Sequence, residues 1–327
     1  MPSPPPRPEA RATMLVAADS AGIKLAAAKL KAGGLVAFPT ETVYGLGADA
    51  TSDAAVAGIY EAKGRPRFNP LIVHVQHLEA ALAFGNFDAT ALKLAHAFWP
   101  GPLTVVVPAA NNEISLLARA GLDTIALRVP GPDVARALIA RAGVPIAGPS
   151  ANRSGAISPT SAADVMGELG GRIDMVLEGR PSAIGVESTI VAMLDSGAVL
   201  LRPGGIALER LRGVVPVSVW QNHDTSTRPQ APGQLPSHYA PRAGVRLNAV
   251  RLRPGEIGLD FGGVLTGAAF DLSRSGDLGE AAAHLFRALR DLDASGATMI
   301  AVAPVPDHGL GLAINDRLQR AAAPRET

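Results

Sequence analysis

The feature that most constrains this chain is an alternation. From residue 14 to about 220, short β-like runs take turns with amphipathic segments of helical period, the pattern of helices packed on a parallel or mixed sheet. In "DSAGIKLAAAKLKAGG", Asp19 or Ser20 can cap a helix, Ile23, Ala27 and Leu30 share one face, and Gly33 can end it. "SDAAVAGIYEAKG" repeats the logic, with Ser52 or Asp53 as cap, Lys63 in the last turn and Gly64 as stop. The buried runs "LVAF" and "LIVHV" follow these helices. Further strands are expected at 103–107, 124–129, 145–148, 188–193 and 198–201, and helices at 88–98, 133–142 and 161–169.

At 327 residues the chain exceeds the usual single compact domain. The stretch 220–242 lacks periodicity, is rich in Pro, Gln, Ser and Thr, and reads as a linker. After it come "VRLNAV", "EIGLDFGG", the helical "LGEAAAHLFRALRDLDASG", the strand-like "TMIAVA" and a last helix from about Leu312, a second and smaller α/β unit. The proline-rich start, residues 1–13, reads as a disordered tail. With 47% hydrophobic and 18% charged residues the composition is globular, and no apolar run approaches the ~18 residues of a membrane span. A net charge of +1 supplies no global field for nucleic acid or membrane, so any anion binding must be local. The absence of cysteine excludes disulfides, thiolate metal sites and thiol nucleophiles together, and the expected location is the cytoplasm.

Three loops and two arginines could carry chemistry. "FPTETVYGLGADA", 38–50, leaves a buried strand through hydroxyls into Gly45 and Gly47; alone it reads slightly better as a turn than as a ligand loop. "KGRPR" from Lys63 reads either as a solvated helix end or, because Pro66 and Pro70 stiffen the chain, as a phosphate-binding set extended by Asn69 and His74. His74 alternates with Val73 and Val75, so a core histidine and a ligand group are equally good readings. "GPSANRSGAISPTSAADV", 148–165, holds Ser150, Asn152 and Ser154 in a turn that can form an anion nest, with Ser161 capping the next helix; isolated, it is a loop of turn residues. Arg128 and Arg202 end apolar strands, where they can snorkel to water or line a cleft for negative groups. No metal-ligand spacing, Ser/His/Asp elbow or paired-carboxylate motif is present. The residues thus point to an α/β protein with a locally basic, hydroxyl-rich cleft for a nucleotide or other phosphorylated ligand, or to a basic surface that binds RNA without chemistry.

Taken together and in order, "PTETVYGLG", "KGRPRFNPLIVHV", "WPGPLTVVV", "GLDTIALRVP", "PSAN", "GVESTI" and "LRPGG" resemble the Sua5/YrdC family of L-threonylcarbamoyladenylate synthases, and "PGQLPSHYAP" before a small α/β unit resembles its two-domain form. The resemblance implies a YrdC-like twisted mixed sheet with flanking helices over 14–219. It adds a linker at 220–243 that folds over the active site and a smaller, Rossmann-like α/β domain at 244–327. It implies a reaction of L-threonine, bicarbonate or CO2 and ATP to threonylcarbamoyl-AMP and pyrophosphate, with Mg2+ carried by ATP rather than by protein side chains. The product would feed tRNA threonylcarbamoyladenosine formation through a separate transferase, with tRNA met indirectly or weakly. By similarity, Lys63, Arg65, Asn69, Thr124, Ser150, Asn152, Ser158, Arg202 and Tyr239 bind ATP. Thr42, His74, Arg128, Gly148 and Ser188 hold L-threonine, and Lys63, Arg65 and His74 act in catalysis. Arg67 receives no role.

Overall fold

The computed structural model describes residues 12–220 and 238–324. The first domain begins with β1 (Met14–Ala17), α1 (Ser20–Lys31), β2 (Val36–Phe38), β3 (Gly45–Asp49), α2 (Asp53–Lys63) and β4 (Ile72–His74). It continues through α3 (Leu78–Leu82), α4 (Ala89–Phe98), β5 (Leu103–Pro108), β6 (Thr124–Arg128), α5 (Asp133–Ala142) and β7 (Ile146–Ala147). It closes with α6 (Ala162–Leu169), β8 (Met175–Glu178), β9 (Thr189–Leu194), β10 (Gly197–Arg202), α7 (Leu208–Arg212) and β11 (Val217–Val219). The second domain holds β12 (Gly244–Arg246), β13 (Glu256–Asp260), β14 (Phe270–Asp271), α8 (Leu278–Ala294), β15 (Met299–Val302) and α9 (Gly311–Ala322).

The first eleven strands form one mixed sheet in the order β1-β8-β2-β3-β7-β4-β6-β5-β9-β10-β11; β12-β15-β13-β14 form a smaller sheet, parallel throughout. The α/β expectation therefore holds for both domains. The small domain has a helix in only one strand-to-strand crossover, α8 between β14 and β15, so it is a reduced version of the Rossmann-like unit expected.

Local chemistry explains the helix starts. Asp19 accepts from the amide of Gly22 and Ser52 from that of Ala55, while Gly64 ends α2 at φ 60°. Ser161 and Asp164 exchange bonds in a capping box at the start of α6. Ser161→Ala is expected to cost about 1 kcal/mol and lower the melting temperature by about 2–4 °C, measured by thermal unfolding.

The segment "GLGAD", read from the sequence as part of a turn or, slightly less well, a ligand loop, is instead β3, a buried strand antiparallel to β2. Its glycines admit a protein ring: a Cβ on Gly47 would lie 3.0 Å from the Phe38 ring and 2.9 Å from Ile146, and one on Gly45 would lie 3.1 Å from Phe38. At the amino end, Thr13 belongs to the fold and not to the tail, since its hydroxyl donates to the Ile173 carbonyl at 2.6 Å and accepts from Gly171; residues 1–11 lie outside the described residues. Of the expected linker, 221–237 lie outside the described residues, whereas the remainder is pinned: the His238 amide donates to Arg320 O, Ala240 to Gly155 O, and Ala243 to the Asp293 carboxylate. Among the described residues no helix is long and apolar enough to cross a membrane.

Alternation along the strands sorts side chains between two faces. Val73, Val75, Val105, Val107 and Leu127 enter the main core with α2, α4 and α6. On the other face α1 and α5 pack over Val36, Phe38 and Ile146, and a separate apolar group gathers Ile72, Val106, Ala126 and Ile190. The site lies on this second face.

Candidate active site

Parallel pairing of β4 with β6 sets Ile72 beside Ala126 and His74 beside Arg128. A one-residue shift of either strand would send its polar side chain into the core. Arg128 is buried, donates from Nη2 to Thr42 Oγ1 at 2.9 Å and from Nε to the Gly101 carbonyl, and pairs with Glu41 Oε1 at 2.9 Å. Thr42 in turn shares a 2.8 Å hydrogen bond with Thr40.

His74 meets the edge of Phe38, ring centres 5.8 Å apart, and a Cβ on Gly148 would lie 2.9 Å from its Nδ1. Gly148 thus makes room for the imidazole, and its amide is already given to the Ile72 carbonyl. Burial, and then the charge of Arg128, push the His74 pKa from 6.5 down to about 3. His238 is likewise lowered to about 3, chiefly by burial. Because both folded values lie below the unfolded one, the unfolded chain protonates first as pH falls. The stability these rings contribute is intact above about pH 6.5 and declines toward pH 3, by up to ~1.4 kcal/mol per pH unit for each ring. His74→Asn is therefore expected to show a shallower loss of urea midpoint between about pH 6 and pH 4 than the parent chain. An equal slope would show that His74 does not remain neutral in the fold.

The cations at the end of α2 are not a solvated helix end. Lys63 is 3% exposed and Arg65 8%. Lys63 Nζ donates to the carbonyls of Ser150 and Asn152, tying α2 to the 150–152 turn. Arg65 donates to the carbonyls of Asn69 and Pro70. Asn69 is fully buried with no hydrogen-bond partner on either side-chain atom, an uncommon state for a buried amide. Arg67, between them, is exposed. Arg202 reaches across from β10 and donates to Ser188 O at 2.8 Å and Ser188 Oγ at 3.2 Å, and Ser188 meets Thr104 at 2.7 Å. Burial lowers the pKa of Lys63 well below its ordinary value, with Arg65 adding to it; Arg65 falls to about 10, and Arg202 is lowered as well. Several buried cations that disfavour one another's charge are stabilised by an anion placed among them.

The last wall combines both domains. Ser158 Oγ donates to Glu187 Oε1 at 2.6 Å, and Glu187 Oε2 accepts from Arg317 Nε of α9 at 2.9 Å. Tyr239, at φ 61°, packs on Phe286 of α8 with ring centres 5.3 Å apart and lies under the Arg317 guanidinium. Glu187 and Tyr239, held in this way, line one pocket together with His238, Arg65, Arg128 and Arg202.

The comparisons with known proteins agree with this geometry. The family model described as Telomere recombination, Sua5_yciO_yrdC, matches residues 28–204, and that of the threonylcarbamoyl-AMP synthase C-terminal domain matches 206–323. The chain belongs to the Sua5/YrdC family. It is 40% identical to the threonylcarbamoyl-AMP synthase of Pyrococcus abyssi, over 93% of this chain and 94% of that one, and 41% identical to that of Bacillus subtilis, over 93% of each. The crystal structure of P. abyssi Sua5 complexed with L-threonine superposes with a TM-score of 0.86 at 37% identity, covering 95% of this chain and 97% of that one.

Within this Sua5-type pocket, Thr42, His74, Arg128, Gly148 and Ser188 line one region together, and Arg65, Ser150, Arg202 and Tyr239 line it with them. Lys63, Asn69, Asn152 and Ser158 are not among the lining residues: Lys63 and Ser158 hold residues that are, and Asn152 donates to Arg153 O and Ala156 O. Thr124 begins β6 on the same face as Arg128 but about 13 Å along the strand, outside the lining residues. Glu41, Glu187 and His238 were not singled out from the sequence. "GVESTI" contained the Glu187 signal, yet its partner Arg317 lies 130 positions away.

Proposed function

We propose that this chain makes threonylcarbamoyl-AMP, the product its relatives' names state of them, together with pyrophosphate, from L-threonine, bicarbonate or CO2, and ATP. The observation that carries the reading is the pocket itself: Arg65, Arg128 and Arg202, buried and fixed by hydrogen bonds, converge on a space lined by hydroxyls.

The chemistry asks for positioning more than covalent catalysis. The amine of threonine adds to CO2, loses a proton and becomes a carbamate; a carbamate oxygen then attacks the α-phosphorus as the bond to pyrophosphate breaks. Two anions must be held side by side, the task for which fixed guanidinium groups suit. Arg128, with Thr42 and Ser188 near it, is the group for the amino-acid carboxylate. Arg65 and Arg202, backed by Lys63, face the triphosphate, and the carbonyl-bonded Lys63 also holds the 150–152 turn in place. Mg2+ enters as part of the nucleotide substrate. With a pKa of about 3 His74 is a neutral hydrogen-bonding group and a poor acceptor for an ammonium proton. That favours carbamate formation before or during binding over deprotonation by His74.

The product is expected to pass to a separate transferase that modifies tRNA. An RNA-binding module without catalysis fits poorly, because cations only 4–8% exposed cannot reach the phosphates of a duplex. The test is pyrophosphate release from ATP with purified chain. Release should require L-threonine and bicarbonate together; a rate unchanged when either is omitted would overturn the reading.

A further inference from the structure

From the small domain the fully buried side chain of Arg317 reaches Glu187 in the pocket wall. Its Nε donates to Glu187 at 2.9 Å, its Nη1 to the Pro203 carbonyl at 2.7 Å and to Asp316 at 2.8 Å, and its carbon lies 5.5 Å from the Tyr239 ring centre. Glu187 is the one acidic residue lining the pocket among the described residues. Both its oxygens are engaged away from the lining arginines, one by Ser158 and one by Arg317. Despite burial, the charges of Arg317 and then Arg202 hold its carboxyl down at about 2, so it is an anion at every working pH and stands within the field of Arg202.

An anion in that place has two possible partners. Held by Arg317, it does not compete for Arg202; released, it would pair with Arg202 and oppose a polyanion in the same pocket. A role in fastening the domains together does not by itself call for this pair. Docking is also made by Arg290, which donates to the Ile157 carbonyl at 2.9 Å and pairs with Asp164 at 3.3 Å and Glu168 at 3.6 Å. Apolar replacements of buried ion pairs are often neutral or stabilising.

We propose that Arg317 is a positioning residue for nucleotide binding: by sequestering Glu187 on the small-domain side, it keeps that carboxylate from competing with the triphosphate for Arg202. The inference rests on reading the pocket as an ATP site. It makes the small domain a contributor to nucleotide affinity through charge, not only through enclosure.

The experiment is calorimetric titration of the full-length chain with ATP and, separately, with L-threonine, accompanied by thermal unfolding. Arg317→Met should weaken ATP binding about tenfold while L-threonine affinity stays within about twofold, and adding Glu187→Gln should return ATP affinity to within about threefold of the parent. A single variant that only melts earlier and binds ATP normally overturns the proposal, as does a double variant as weak as the single one. Should the single variant not fold, the double variant still decides: parental ATP affinity supports sequestration, and a loss of about tenfold or more refutes it. A parent chain that binds neither ATP nor L-threonine would instead refute the reading of the pocket, a result separate from both.

Discussion

Arg128→Ala is expected to lower threonine-dependent pyrophosphate release by about 10²–10³-fold, the scale seen when a fixed electrostatic donor is removed from a reacting site. The loss should lie in the use of L-threonine, with its KM raised and the KM for ATP within about threefold of the parent, since one anion site is removed and the other kept. The structure adds a second effect. Arg128 pairs with Glu41 at 2.9 Å and both are largely buried, so truncation strands a carboxylate, at a cost of about 3–5 kcal/mol. Glu41→Gln in the same background should restore much of the melting temperature and none of the turnover. If the KM for ATP rose as far as that for L-threonine, Arg128 would not be the carboxylate partner.

Lys63→Met is expected to lose both activity and stability, and here the structure changes what "KGRPR" alone would predict. Read as a ligand group, Lys63 should matter to turnover only. Buried with its ammonium on the carbonyls of Ser150 and Asn152, it also closes the turn that carries two proposed nucleotide contacts. Orphaning two buried carbonyls costs about 1–3 kcal/mol each, so a fall of about 5–10 °C in melting temperature should accompany a loss of about 10²-fold or more in kcat/KM for ATP. Arg67→Ala, two residues beyond Arg65, should change neither beyond about twofold in rate or ±0.5 kcal/mol, because that side chain is exposed. Thermal unfolding and steady-state kinetics on the two variants check both statements, and wild-type stability in Lys63→Met would refute the bridging role.

The strand and helix alternation was legible because period and caps are local properties. Asp19, Ser52, Ser161 and Gly64 mark helix ends in the sequence and do so in the structure. The "GLGAD" segment was misread because glycine pairs signal loops when the ring they accommodate is out of view; Phe38 comes from the adjacent strand, β2. Most of the site was legible as polar residues at strand ends and in punctuated turns. Thr124 was carried to the site by resemblance, and the fold places it at the far end of the strand that delivers Arg128.

By itself the sequence determined an α/β chain in two units, a local excess of cation in a neutral whole, and, through the order of its motifs, membership of the Sua5/YrdC family. Which cations are buried, which carboxylate each one meets, and that Glu187 is held by an arginine 130 residues later were decided only by tertiary structure. The physical reason is that alternation and capping act between neighbours in the chain. Burial and charge pairing act between neighbours in space, and strand order sets those.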